Sequence, residues 1–472
     1  MSTWRTVMRL EWRILRRDRA AVAVIVLFAG FLILSAFAGG RQAALLADGL
    51  ERSAADETEN LEALAGQLAK ADPAAPLTAK DPRDPVWMGQ HGAGRLAILP
   101  PSPLAPVSVG QRDLHPQAVR VTTEVHLTSE RQTETPMSGP TRLMTGAFDP
   151  AFLFVVLFPL VVIALSYELL SGERESGTLA MLLSQPVSQG ELILGKAGAR
   201  AVFLSGVTVL FALVGLWVAG ADLSLAGAWL HVGLYALILV VWALFWFAAA
   251  VAVNSRGGTS ARSALVLVGL WLVLVVVVPG LVQVAVDQLY PVPSGIELLH
   301  QAREAAGEAE KELVGIEGRH DADPSKGGLA KRVVEVQEEL ARRSAPVLTA
   351  VRDRLAERQG LINGLRFVSP AILVQLALED VAGSGAVRHH HFQEQVDAYH
   401  TTFRRYFGDR IRAGTHLSAA DLAGVPVLTF QEESVGQLLM RVLMGVFGLL
   451  LAVGALILFS LPGLRRVGRL TR

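Results

Sequence analysis

The chain has 472 residues, of which 51% are hydrophobic and 18% charged, and its mean hydropathy is +0.41. A soluble globular domain is about a quarter charged, so composition points to a membrane protein. The formal net charge of +0 argues against a nucleic-acid partner reached by bulk electrostatics, and the lack of any cysteine excludes disulfides, zinc–thiolate sites and cysteine nucleophiles.

Residues 1–19 come first. On a helical wheel Trp4, Val7, Met8, Leu10, Trp12, Ile14 and Leu15 fall on one side, and Arg5, Arg9, Arg13, Arg16 and Arg17 on the other. Glu11 is the one charge on the apolar side. A basic amphipathic helix of this kind is suited to the lipid headgroup layer; the alternative is a plain basic flank of the first span. Both put this end in the cytoplasm. Residues 20–40 form the first predicted span, apolar from Ala20 to Ala38 and long enough to cross a bilayer. Ala36-Phe37-Ala38 resembles a signal-peptidase site, but the apolar core is longer than a usual signal segment and a helix precedes it. The expectation is a signal anchor.

Residues 41–148 are polar and leave the membrane as a small α+β domain. Leu46, Leu50, Leu61, Leu64 and Leu68 stand at helical spacing among acidic residues, followed by a proline-rich stretch at Pro100-Pro101-Ser102-Pro103. Val119 to Leu127 alternates with period two, as a half-buried strand does. Asp149-Pro150 reads as a helix N-cap with proline at the first helical position, opening a second span over 149–168 in which Pro159 predicts a kink. A charged loop, 169–198, leads to spans at 199–220 and 226–253, a short basic loop at 254–263 and a span at 264–289. Pro279-Gly280 would break this last helix or let it dip back.

Residues 290–434 leave the membrane again as a mainly helical segment, with a predicted hairpin between Gln301–Val314 and Leu329–Leu340. The last span is 435–461, and 462–472 is a basic tail. Lys and Arg test this layout. Six arginines stand by residue 19, Arg174, Lys196 and Arg200 lie at 169–200, Arg256 and Arg262 at 254–263 and four arginines in the tail, while 221–225 has none. This pattern agrees with six spans and both termini in the cytoplasm.

The stretch Ser171-Gly172-Glu173-Arg174-Glu175-Ser176-Gly177-Thr178-Leu179, continued by Leu182-Leu183-Ser184-Gln185-Pro186 and Leu194-Gly195-Lys196, is similar to the signature of ABC-2 type transporter permeases. The two large loops, with Leu99-Pro100-Pro101, Gly110, Ser369-Pro370, Gln375 and Ala382-Gly383, resemble one branch of that family. The resemblance implies an α-helical membrane protein with the six-helix plan of type V exporters. It also implies a coupling helix after the second span that docks on a separate cytoplasmic ATPase, with ATP and Mg²⁺ bound there and no cofactor in this chain. Physically, a glycine-hinged helix between two spans suits the same role. Leu179, Leu182 and Leu183 would fill a groove on the partner, and Glu173, Arg174 and Glu175 would pair at its rim. The bland alternative is a surface helix packed only on its own bundle.

Gly190-Glu191-Leu192-Ile193-Leu194-Gly195-Lys196-Ala197 almost matches a phosphate-binding loop, but Ala197 lacks the hydroxyl that would ligate Mg²⁺ and no strand precedes it. His389-His390-His391, with His400 nearby, invites a metal, yet three consecutive histidines do not share a helix face; surface histidines are the expectation. No Ser–His–Asp, GxSxG or HExxH pattern supports an enzyme. Acidic residues are nearly absent from the spans, which disfavours proton-coupled transport. The expected function is therefore the permease subunit of an ATP-driven exporter in a bacterial inner membrane, as a homodimer or with a paralogous permease. A non-conducting subunit that relays ATPase motion to its outer domains, and so to a periplasmic protein, is the alternative.

Overall fold

Asp18 decides where the first long helix begins. Its carboxylate accepts from the Ala20 N–H at 2.9 Å and the Ala21 N–H at 3.2 Å, separating α1 (Thr3–Arg17) from α2 (Arg19–Lys70). This computed structural model describes residues 3–72, 75–78, 80–110, 112, 116–124, 148–184, 189–225, 227–291, 295–309, 311–312, 314–315 and 327–467. α2 is continuous for 52 residues, about 78 Å at the usual rise. Span 20–40 and the polar helix expected over 41–71 are thus one rod. Gly39 and Gly40 do not end it. A Cβ on Gly39 would meet the Pro106 carbonyl oxygen at 2.3 Å, and one on Gly40 the Ala219 carbonyl oxygen at 2.4 Å. Glycine lets two other backbones close in on the helix.

Six helices among the described residues are long and apolar enough to cross a membrane. They are the first part of α2; α3 (residues 150–166); α6 (Gln189–Val218); α7 (Ala228–Asn254); α8 (Ser260–Leu289); and α13 (Val435–Val467). Short helices α4 (Ser171–Glu175) and α5 (Thr178–Leu183) lie between α3 and α6. In α7, 72% of the most apolar stretch is buried, against 11% in α8. α7 is therefore the axis of the bundle, with Tyr235, Trp242 and Trp246 fully enclosed, and α8 presents most of its surface outward.

The prolines inside α3 and α8 are absorbed in the same way. In α3, Phe158 N–H bonds to the Leu153 carbonyl across a π turn, Leu153–Leu157. The same widening leaves the Phe154 carbonyl facing Pro159, which has no N–H to give. Trp242 of α7 takes that carbonyl instead, its Nε1–H donating at 2.8 Å. In α8, Val278 N–H bonds to the Val273 carbonyl across Leu272–Val277, and the Leu274 carbonyl meets Pro279. Here the Ser369 hydroxyl donates at 2.6 Å. The break expected at Pro279-Gly280 does not occur: α8 runs on to Leu289, because a side chain from elsewhere satisfies the freed carbonyl.

Between α8 and α13 come α9 (Gly295–Ala306), α10 (Gly327–Leu365), α11 (Pro370–Ala382) and α12 (Ala386–Ala413). α9 and α10 pair through Ala306, Val333, Val336 and Leu340, in keeping with the expected hairpin; the residues between its arms, 316–326, fall outside the described ones. α11 departs from the sequence reading, which puts 290–434 wholly outside. Leu373, Val374, Leu378 and Val381 are buried in the same core as the spans. A 13-residue helix is about 20 Å long, too short to span, so a search for spans passes over it. It also brings Glu379 into the interior, 9% exposed, where the sequence reading had no ionisable group. α12 continues from α11 with a 44° bend, but its Arg388, Glu394, Asp397, Arg404, Asp409 and Arg412 keep it out of lipid.

Strand β1 (Arg95–Ile98) pairs antiparallel with β2 (Ala118–Val121), Arg95 opposite Val121 and Ile98 opposite Ala118. Only the start of the strand expected over 119–127 is seen, and 125–127 lie outside the described residues. Leu64 and Leu68 from α2, Met88, Val119 and Val121 from the sheet region, and Phe392, Phe403 and Phe407 from α12 form one hydrophobic core. The two long loops thus fold together, on the end of α2.

Candidate coupling site

At the opposite end of the bundle the chain leaves α3 through a tight turn. Asn254, the last residue of α7, anchors it: its side-chain oxygen accepts from Leu170 N–H at 3.4 Å, and its amide donates to the carbonyls of Ser166 at 3.3 Å and Ala250 at 2.9 Å. α4 and α5 follow, joined by Ser176-Gly177. Gly177 has φ +73°, the left-handed conformation that glycine adopts without a Cβ clash. The glycine-hinged segment expected here is two short helices meeting at an elbow.

The charged residues at the elbow find partners in their own chain. Glu173 Oε1 lies 2.6 Å from Lys196 Nζ, and its other oxygen accepts from the Thr178 hydroxyl. Lys196 Nζ also lies 3.3 Å from Glu11 Oε1, and Arg200 reaches Glu11 Oε2 at 3.3 Å while donating to the Leu165 carbonyl. Arg174 donates to the Gly258 carbonyl at 3.3 Å. Glu175 accepts from the Ser260 N–H at 2.7 Å and from its hydroxyl at 2.9 Å; the Ser171 hydroxyl lies 2.9 Å from the same Ser260 oxygen. Glu173, Arg174 and Glu175, read from sequence as rim contacts for a partner, thus tie the elbow to α1, α6 and the 254–260 turn.

The apolar residues divide in the same way. Leu179 is 8% exposed and belongs to the bundle core, with Leu182 partly buried against it. Of Leu183 only the backbone, at the end of α5, is described, and Pro186 lies outside the described residues. Gly172 packs over the side chain of Glu168. The surface open to another molecule is formed by Ser176, Gly177, Ala180, Met181 and Ser184, Met181 being 65% exposed. Met181 carried no weight in the sequence reading, although it stands in α5 on the side opposite Leu179. Glu11 did stand out there as a charge on an apolar face, and burial at 2% exposure between two cations explains it. Gly195 and Lys196 lie inside α6, past its first turn, where helical hydrogen bonds occupy their amides.

Residues 5–459 match the family model described as ABC-2 family transporter protein, and the chain belongs to that family. It is an integral membrane protein, the membrane subunit of an ABC transporter. Shorter stretches are similar to the probable ABC transporter permease protein NosY of Pseudomonas aeruginosa, 38% identical over 58 residues, which is 12% of this chain and 21% of that protein. The protein of the same name from Stutzerimonas stutzeri is 38% identical over 55 residues, 12% and 20% of the two chains. The match spans about a fifth of the length of these relatives.

Proposed function

We propose that this chain is the permease of an ATP-driven exporter in a bacterial inner membrane, with both termini cytoplasmic. It works as a homodimer or with a paralogous permease, on separate ATPase subunits that hold ATP and Mg²⁺. The observation that carries this reading is the way the elbow is fastened. Its outer side, around Met181, is free to be gripped, while Glu173, Lys196, Glu11 and Arg200 bind its inner side to α1 and α6. A push on α5 is then passed to helices rather than lost in a loop. The shared ion network is part-buried, so salt screens it little.

The test is co-purification of the full chain with its ATPase subunit. Met181→Glu, on the open side, is expected to weaken binding about tenfold, or about 1.4 kcal/mol, without lowering the melting temperature. Glu173→Ala is expected to retain binding but lose the permease's effect on ATP turnover. Undiminished binding and turnover in both variants would sink the reading.

A second reading draws on one small cavity in the bundle. The cavity lined by Leu32, Ala36, Gly215 and Tyr235 is about 10 Å³, room for roughly one water. A route for a solute would then run between two permease copies. The alternative is that nothing is conducted and ATPase motion is relayed to the distal domain, acting on a periplasmic protein.

A further inference from the structure

A groove of about 230 Å³ opens in the distal domain between α10, α12 and the segment leading to the sheet. Its floor is one face of α12: Thr401, Arg404 or Arg405, Gly408, and Ile411 or Arg412 recur three or four residues apart, so they look the same way. Val333, Val334, Gln337 and Glu338 of α10 form one wall, and Val86, Gln90 and Thr123 close the end. Val86, Val333 and Ile411 are buried and give the groove an apolar side.

The charges in it do not balance locally. Arg412 is paired with Glu338 at 2.9 Å and with Asp409 at 2.9 Å. Arg405 is exposed. Arg404 is part-buried, and among the described residues no hydrogen bond or ion pair engages its guanidinium. Glu338, the carboxylate that lines the same groove, is taken by Arg412. A part-buried cation whose charged neighbour, Glu338, is hydrogen-bonded elsewhere is costly to keep, and Arg404 lines the groove. Gly408 stands one turn along, where a side chain would otherwise fill that space; even a Cβ there would lie 3.5 Å from the Arg412 guanidinium.

We propose that this groove binds a small organic anion. One carboxylate or phosphate group is held by the Arg404 guanidinium, whose planar fork matches two acceptor oxygens, and a short apolar body lies against Val86, Val333, Val334 and Ile411. The volume is below the roughly 300–1,000 Å³ of sites for drug-sized ligands, so the body is short. The inference is independent of whether the bundle conducts anything.

Calorimetry on the full chain in phosphatidylcholine nanodiscs tests it, with hexanoate, hexylamine and inorganic phosphate as probes. Hexanoate is expected to bind one saturable site and raise the melting temperature, phosphate to bind more weakly and hexylamine not to bind. Arg404→Gln should weaken hexanoate at least about tenfold, with the melting temperature of the free protein unchanged or higher, since no internal partner is lost. Gly408→Leu should block the site. Hexanoate binding that is absent, unsaturable or equal in Arg404→Gln overturns the proposal, as does phosphate binding as tight as hexanoate. A stabilisation that depends on Arg404 but arises only in phosphatidylglycerol nanodiscs also overturns it, by placing a lipid phosphate there instead.

Discussion

Glu11 sits between Lys196 and Arg200 with 2% of its surface exposed. Removing one member of a buried ionic cluster strands the others, at a cost of about 3–5 kcal/mol. Glu11→Ala is therefore expected to lower the melting temperature of the full chain in detergent by several degrees. Adding Arg200→Met to it should recover part of that loss, because the cation whose salt bridge is to Glu11 goes as well. If the double variant melts below Glu11→Ala by the full cost of a second independent change, the two residues are not coupled and the network is not one unit. At this scale the sequence was half legible. A lone acid on an apolar helix face marks itself by pattern, but its partners lie almost 190 positions away and no periodicity brings them together. The same holds for Glu175, whose charge was plain and whose partner, Ser260, was not.

Among the elements, the prolines of α3 and α8 were visible from sequence, and that each frees a carbonyl follows from its missing N–H. Which groups would answer the freed carbonyls was hidden, because Trp242 and Ser369 come from other parts of the chain. Trp242→Phe keeps an aromatic ring against Phe245, stacked at 5.4 Å in the native protein, but leaves the Phe154 carbonyl unmet. The expected loss is about 1–3 kcal/mol, read as a lower melting temperature. Pro159→Ala in that background restores a backbone N–H and should return part of the loss; if it destabilises further, the carbonyl is not what Trp242 serves. α11 was illegible for a different reason. Hydropathy is read against the thickness of a bilayer, and a helix that enters the bundle without crossing it has no length to match. Its residues were noticed only as Ser369-Pro370, Gln375 and Ala382-Gly383, the points where the family likeness holds.

For the molecule as a whole, α2 is the connection that matters, and its continuity is directly measurable. The chain has no cysteine, so Arg41→Cys and Lys70→Cys can carry a single pair of spin labels. An unbroken helix sets their backbones about 44 Å apart, and a narrow distance distribution near that value is expected. Gly49→Pro should broaden it, since proline removes a helical hydrogen bond; Gly49→Ala should not, as its Cβ would meet nothing within 4 Å. A broad or much shorter distribution in the parent protein would show that the rod is jointed.

A rigid rod pivoting near one end multiplies angle into distance. If the turn at Asp18 is the pivot, a tilt of about 5° over a length of roughly 78 Å carries the far end through about 7 Å. That is more than the rise of one helical turn, and it arrives in the core shared by Leu64, Leu68 and Phe403. A change too small to notice where α1 meets α2 is thus a gross rearrangement where the two long loops fold together.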